Sequence, residues 1–357
     1  MNADASGRRA NIIGLGLIGG SIGLALRERG WHVFGDDHDP TRIDRALALG
    51  VLDESGMRDD ADVTFVATPV LSVADQVKRA LAETSGLVTD VGSVKGAIAR
   101  AIEDPRFVGG HPMAGSELDG LDGADATMFA GAVWVLTPIE TTADETFSAV
   151  ASIVADLGAD VVALHPDRHD QVVAVVSHVP HLAAATLMGL ASERAEEHAA
   201  LLRLAAGGFR DMTRIASGHP GIWLDICAEN REAILSGLDG LIDGMRRIRD
   251  VVRDDDRAAL HETLRRAREA RANLPTRATH PNELSEVRIP IPDRPGAAAE
   301  VFTLAAELGV NISSFEVVHS VEGNRGVAII LVDAGSAELF RGGLMARGYR
   351  PAVQRLD

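Results

Sequence analysis

The sequence predicts an α/β unit on a parallel sheet, then an all-helical unit, then a small unit of order βαββαβ. Three observations carry this reading. From Ala10 to about Pro166, short apolar runs alternate with helical patterns, the mark of βαβ units. After Pro166 the strand signals vanish until Ser285, in a stretch rich in Ala, Leu, Arg and Glu. From Ser285 alternation returns, beyond a segment that Pro275 and Pro281 make unfit for helix. The expected units are 1–166, 167–280 and 285–357, in keeping with about 150 residues per domain for a 357-residue chain.

In the first unit, strand candidates end at Gly14, Phe34, Ala67, Thr89, Val108, Thr137 and Leu164. In the first helix Ile18, Ile22, Ala25 and Leu26 recur at helical spacing, and Gly30 stands where a C-terminal glycine cap belongs. In the second unit Ile234, Leu235, Leu238, Leu241, Ile242, Met245 and Ile248 line one face of a long helix. That is more apolar surface than a lone helix leaves wet, and it predicts a helix-mediated homodimer or higher homo-oligomer, unless other helices of the same subunit cover it. In the third unit Val287, Ile289 and Ile291 alternate as in a strand. A helix from about Gly296 to Leu308, strands from Ile312 and Val327, a helix from Ala337 and a short strand near Tyr349 follow, a ferredoxin-like order.

Composition narrows the partners. Hydrophobic residues at 46% and charged residues at 24% describe a folded chain. A formal charge of -17 and a single tyrosine, Tyr349, argue against nucleic acid. The lone cysteine, Cys227, fits a reducing compartment. Residues Met1 to Arg9 lack the apolar core of a signal peptide, and no unbroken run of about 18 apolar residues occurs, so a cytoplasmic protein away from membranes is expected.

Gly14-Leu15-Gly16-Leu17-Ile18-Gly19 follows the apolar Ile12-Ile13 and opens a helix. Backbone N–H groups there can meet a pyrophosphate, the arrangement of a Rossmann dinucleotide site. Asp37, at the end of the second strand, can accept both ribose hydroxyl protons of NAD and would repel a 2′-phosphate, which favours NAD over NADP; Asp36 beside it is the alternative. Ligands of such sheets sit beyond the carboxyl ends of the strands, which brings in Thr68 and Pro69, the segment Asp90 to Lys95, and Gly109 to Gly115.

In the last of these, His111 lies between glycines and a proline, held on a rigid turn where a neutral imidazole can take a hydroxyl proton as hydride leaves the carbon. Ser93 either orients that ring or caps a helix. Lys95 reads as structural or as a cofactor contact. Asp170, Ser177, His178 and His181 share one helical face, and Pro180 should kink the helix. With no HExxH pattern and Cys227 isolated, no metal is expected at His165, His169, His178 and His181. Gly207 to Ala216 sets a glycine pair beside Arg210 and Arg214, and an arginine there either clamps a carboxylate or is solvated.

Five ordered motifs, GLGLIGGS at Gly14–Ser21, DVGSVKG at Asp90–Gly96, GGHPMAGSE at Gly109–Glu117, SHVPH at Ser177–His181 and FRDMTRIA at Phe209–Ala216, together resemble the prephenate dehydrogenase family. The third unit resembles an ACT domain, with Asp293-Arg294-Pro295-Gly296 on its first loop and Gly309 to Ile312 leading into its second strand. The resemblance implies NAD-dependent oxidative decarboxylation of prephenate to 4-hydroxyphenylpyruvate, on the way to tyrosine. It gives His111 as base on the ring hydroxyl and Ser93 as its hydrogen-bond partner. It implies Arg214 on a substrate carboxylate, Ser177, His178 and His181 lining the pocket, and Glu117 near its mouth. It implies tyrosine as an effector at Asp293, Arg294, Pro295, Gly296 and Asn311, against a purely structural module that holds subunits together. With nine residues before Ala10, no fused mutase domain is expected. Arogenate dehydrogenase, with an amino group in place of the keto group, fits the same motifs. A β-hydroxyacid dehydrogenase would show GxxGxGxxxK in the second segment, which is not found. A non-catalytic NAD sensor would have no need for His111, Ser93 and Arg214 together.

Overall fold

A computed structural model describes residues 7–116, 118, 120–197, 207–218, 220–273, 284–292, 294, 296–319 and 325–355. They form two compact units, 1–255 and 256–357.

The first unit begins with β1 (Arg9–Ile13), α1 (Leu17–Glu28), β2 (His32–Asp36), α2 (Pro40–Ala48), β3 (Glu54–Ser55), β4 (Val63–Val66) and α3 (Val70–Glu83). It continues through β5 (Leu87–Asp90), α4 (Gly96–Ala101), β6 (Phe107–Pro112), β7 (Val133–Thr137), α5 (Asp144–Asp156) and β8 (Asp160–Ala163). The strands make one sheet of order β3-β2-β1-β4-β5-β6-β7-β8. Strand order reverses between β1 and β4, so the crevice at that switch point lies directly over the glycine loop. Ala10, Ile12, Val63, Phe65, Trp134 and Leu136 are buried in its core, each large side chain contributing roughly 1.5–3 kcal/mol.

The sheet departs from the expected all-parallel arrangement at one pair: β6 and β7 run antiparallel, with His111 opposite Val135. A parallel return needs a crossover, usually a helix. Between these strands the described residues hold only a 3₁₀ turn at Leu121–Gly123. β7 and β8, joined through α5, are parallel again.

The helices α6 (Pro166–Val173), α7 (Val179–Glu197), α8 (Gly207–Thr213), α9 (Pro220–Glu229) and α10 (Arg231–Arg253) complete this unit. A π-helical turn at Ala174–His178 joins α6 to α7. Pro180 is the reason: its ring has no N–H to donate and would clash with the carbonyl four residues back, which the wider turn relieves. The expected kink is thus a one-residue widening. The stretch Pro166–Glu193 is long and apolar enough to cross a membrane by composition, yet it buries Asp170 and three histidines, as a core helix does. On α10, Leu235, Leu241, Ile242, Met245 and Ile248 are exposed while Ile234 is buried.

The second unit holds α11 (Arg257–Ala272), β9 (Leu284–Pro292), α12 (Ala297–Glu307), β10 (Ile312–His319), β11 (Arg325–Asp333), α13 (Ala337–Ala346) and β12 (Ala352–Arg355). Its antiparallel sheet runs β10-β11-β9-β12, the strand order that a βαββαβ chain gives. Val287, Ile289, Val301, Ile330, Phe340 and Leu344 form its core.

Candidate active site

The three glycines of the first loop do different work. Gly14 has φ +96° and sits so close to β4 that a Cβ would lie 2.5 Å from the Ala67 carbonyl oxygen. At Gly19 a Cβ would lie 2.0 Å from the Gly14 oxygen, so helix and loop touch there. At Gly16 a Cβ would meet nothing within 4 Å. That open face, at the first turn of α1 where Leu17 and Ile18 begin the helix and N–H groups lack helical acceptors, is the shape a pyrophosphate needs. Thr68 Oγ1 is buried with no hydrogen-bond partner among the described residues, an orphan that a bound cofactor would satisfy; Pro69 beside it caps α3. Asp37 accepts from the Leu15 N–H at 2.7 Å and from the Asp39 N–H at 2.9 Å, which turns its carboxylate toward the loop. Asp36 is engaged elsewhere, in an ion pair with Arg79 at 2.8 Å. These residues fit a dinucleotide of the NAD type.

On the same carboxyl edge, three strands from β1, β6 carries His111 just before its last residue, Pro112. Its strand is braced from below. The buried Lys95 ammonium pairs with the buried Asp90 carboxylate and donates to the Gly110 carbonyl at 2.7 Å. Asp90 in turn accepts from the Gly110 N–H at 3.2 Å and the Gly92 N–H at 2.8 Å. Burial pushes the Lys95 ammonium down from the usual lysine range, and Asp90 and Asp170 oppose the shift.

His111 is partly exposed, as contact with a substrate requires. Its Nδ1 lies 2.8 Å from Nε2 of His169, whose Nδ1 lies 2.8 Å from the Asp170 carboxylate. The protein packed around His111, and then His169, Lys95 and His178, hold its pKa well below 6.5, so the ring is neutral at physiological pH. Ser93, expected to hydrogen-bond this ring, is half-buried and makes no hydrogen bond to it among the described residues. His169 takes the Nδ1 side instead.

From Asp170 the site continues into the helices. The Asn230 amide donates to the Asp170 carbonyl oxygen at 2.8 Å and sits 3.2 Å from His178 Nδ1. Burial lowers the His178 pKa to about 4. Trp223 meets His178 edge-on at 6.0 Å and stacks on His181 at 3.6 Å. Burial also lowers the pKa of His181, opposed by a hydrogen bond to the Ile215 backbone. That bond draws the 3₁₀ turn Arg214–Ser217 against α7, with Arg214 exposed on it. Ser177 is half-buried on the π turn.

The fold therefore joins His111, His178 and His181 into one constellation and adds His169, Asp170, Asn230 and Trp223. The sequence offered Asp170 by helical face. It held no local signal for Asn230 or Trp223. Glu117, Asp293 and Pro295 lie outside the described residues. In the second unit Arg294 pairs with Glu300 at 2.7 Å, which also accepts from the Tyr349 hydroxyl at 2.7 Å. Gly296 has φ +90° and Asn311 is exposed.

Comparison with known proteins places this geometry. Residues 22–163 match the prephenate dehydrogenase nucleotide-binding domain family and residues 165–266 the prephenate dehydrogenase dimerization domain family. A prephenate dehydrogenase of Bacillus subtilis is 33% identical over 333 residues, 88% of this chain and 90% of its own. A cyclohexadienyl dehydrogenase of Zymomonas mobilis is 32% identical over 281 residues, 74% of this chain and 95% of its own. Among solved structures, Aquifex aeolicus prephenate dehydrogenase in complex with hydroxyphenyl propionate and NAD+ aligns with a TM-score of 0.71 at 30% identity, over 76% of this chain and all of the other. Synechocystis arogenate dehydrogenase aligns at 0.65 and 29%, over 75% of this chain and all of its own.

Proposed function

The chain belongs to the prephenate dehydrogenase family, and from that premise we propose that His111 is the base of its reaction. The reaction is the NAD-dependent oxidative decarboxylation of prephenate to 4-hydroxyphenylpyruvate. The observation that carries the assignment of His111 is its placement: a neutral, partly exposed imidazole on the sheet edge that also bears the open glycine cradle.

Gly14, Gly16, Leu17, Ile18 and Gly19 would hold the pyrophosphate, Asp37 the ribose hydroxyls, and Thr68 and Pro69 the wall beside them. Asp37 is favoured over Asp36, because its carboxylate is held on the glycine loop at the Leu15 N–H while Asp36 pairs with Arg79. When bound, NAD accepts a hydride. His111 takes the ring hydroxyl proton at Nε2. As that O–H bond breaks, its electron pair forms a carbonyl and expels hydride from the same carbon; loss of carbon dioxide then aromatises the ring. Arg214 binds a substrate carboxylate, while Ser177, His178, His181 and the stacked Trp223 line the pocket; the family resemblance gives Ser93 as a partner of His111 and Glu117 a role near the pocket mouth. Little in this set attacks the substrate; most of it positions.

Arogenate is the second reading, supported by the cyclohexadienyl and arogenate dehydrogenases among the relatives. Supplying NAD with prephenate and with arogenate separately, and following reduced cofactor and product, separates the two. Loss of turnover in His111→Asn with NAD affinity retained is the expected result for the base. Full NAD-linked turnover in that variant would remove the assignment.

We assign residues 1–166 to cofactor, 167–280 to substrate and subunit pairing, and 285–357 to an ACT-type domain, with a cytoplasmic homodimer as the working unit. The antiparallel βαββαβ unit and the left-handed Gly296 ahead of α12 support the ACT reading. Arg294, Gly296 and Asn311, with Asp293 and Pro295, are proposed to take tyrosine. Tyrosine is expected to bind the full chain and slow turnover, and the absence of both effects would leave a structural module.

A further inference from the structure

We infer that His169 and Asp170 are positioning residues that fix the tautomer of His111, leaving the lone pair on its Nε2. The inference rests on His111 being the base, and deepens that reading.

The derivation starts at Asp170. Its carboxylate accepts from the Lys95 N–H and the Gly96 N–H, each at 2.8 Å, besides facing His169 Nδ1. Three donors converge on it, and an ionised carboxylate is an acceptor only. His169 Nδ1 must therefore carry its hydrogen. In a neutral ring Nε2 is then the acceptor, and it faces His111 Nδ1 at 2.8 Å. Two lone pairs cannot meet at that distance, so His111 Nδ1 carries a hydrogen and Nε2 does not. The rings meet edge to face, at 72° with centroids 5.1 Å apart, which suits a bond in the plane of one ring. His169 is fully buried, so no water competes for its nitrogens.

The consequence is chemical. Of the two neutral tautomers, only one can take a proton at Nε2, and the line from Asp170 selects it. When Nε2 gains the substrate proton, the new imidazolium donates through Nδ1 to His169, whose own N–H points at the Asp170 charge. The proton stays on Nε2; the carboxylate stabilises the charge through the intervening ring, as a buried acid does in a catalytic triad.

A purely structural role, filling space beneath β6, gives a different pattern of variants. His169→Leu removes the acceptor. His169→Gln keeps an amide oxygen near the place of Nε2. With prephenate and NAD, His169→Leu should lower kcat by about 10²- to 10⁴-fold, with KM and the Kd for NAD changed by less than about threefold. His169→Gln should regain at least about tenfold of that loss. Equal kcat values in the two variants would overturn the inference. Should the leucine variant fail to fold, ¹⁵N spectra of histidine-labelled wild-type protein decide, with the His111 signals identified by their loss in His111→Asn. Nε2 unprotonated and Nδ1 protonated is the expected result, and the reverse overturns the inference. His111→Ala separates the levels: full turnover there would remove the base itself, whereas lost turnover there beside a wild-type kcat in His169→Leu would remove only the positioning role.

Discussion

Alanine at Gly16 and alanine at Gly19 should act on the cofactor by different routes, and the contrast tests the cradle. Gly16 is extended, with φ −96° and ψ −158°, so a side chain there brings no left-handed strain. Its Cβ would meet no protein atom within 4 Å, and Gly16→Ala should change stability by no more than about 0.5 kcal/mol. At Gly19 the added methyl would lie 2.0 Å from the Gly14 oxygen and 3.2 Å from Ala67 Cβ. The first of these is backbone and cannot swing aside, so α1 must move off the loop at a cost of about 1–3 kcal/mol. On a unit of this size that lowers Tm by roughly 2–12 °C. Both variants should lose NAD: Gly16→Ala because the methyl fills the space where the pyrophosphate approaches, Gly19→Ala because the loop itself has shifted. Overpacking of about 1–3 kcal/mol corresponds to a Kd weaker by roughly 5- to 150-fold. Thermal unfolding without ligand and NAD titration by tryptophan fluorescence read the two quantities separately. Wild-type NAD affinity in Gly16→Ala, or a Tm loss there equal to that of Gly19→Ala, would refute the reasoning.

Three further outcomes follow from the same geometry. Asp37→Asn keeps an oxygen for the Leu15 N–H but loses the charge that repels a 2′-phosphate, so NADP should gain on NAD by about tenfold, roughly 1.4 kcal/mol; an unchanged ratio of the two Kd values would place selectivity elsewhere. His111 must be neutral to act, and its surroundings favour the neutral form, so kcat/KM should hold its plateau as pH falls through 6.5 and decline only below it; an acid limb at or above 6.5 would contradict the site. Met245→Glu puts a charge into the exposed apolar face of α10, and light scattering should show a shift toward a smaller assembly, whereas an unchanged mass would move any subunit interface off this helix.

What could be read from the sequence was local. The strand, glycine loop and helix at residues 9–28 lie within one window, as does the glycine–proline setting of His111, and both announce themselves by spacing. β3 is two residues long, too short for any alternation to show. The reversal of β7 depends on the lack of a crossover helix among the described residues of the segment 113–132, which no pattern within β7 records. The pairing of His111 with His169 spans 58 positions. The helical-face argument that grouped Asp170, Ser177, His178 and His181 leaves out His169, about 100° around the axis, because it assumes one face looks at the site. In the fold α6 buries both His169 and Asp170, and these two adjacent residues serve successive links of one hydrogen-bonded line. Pro180 signalled a disturbed helix, but the sequence could not say that the disturbance would be a π turn at the residues lining the pocket.

The buried charges beneath the site follow a logic of position more than of stability. Lys95 and Asp90 are both removed from water, and desolvation of such a pair commonly offsets its attraction. Their arrangement makes sense through what they hold: Asp90 and Lys95 take the N–H and the carbonyl of Gly110, the residue before His111, while the Lys95 N–H is held by Asp170. Strand β6, the loop after β5 and helix α6 thus share one cluster of charges. Lys95→Met alone leaves Asp90 uncompensated and should cost about 3–5 kcal/mol in unfolding free energy. The double variant Lys95→Met, Asp90→Leu, which removes both charges, should recover most of that loss. It should not recover kcat, since Gly110 is no longer held and the imidazole drifts from its line with His169. Chemical denaturation and steady-state kinetics on the double variant test the distinction, and restored stability together with restored kcat would mean that the pair serves the fold and leaves His111 to be placed by other contacts.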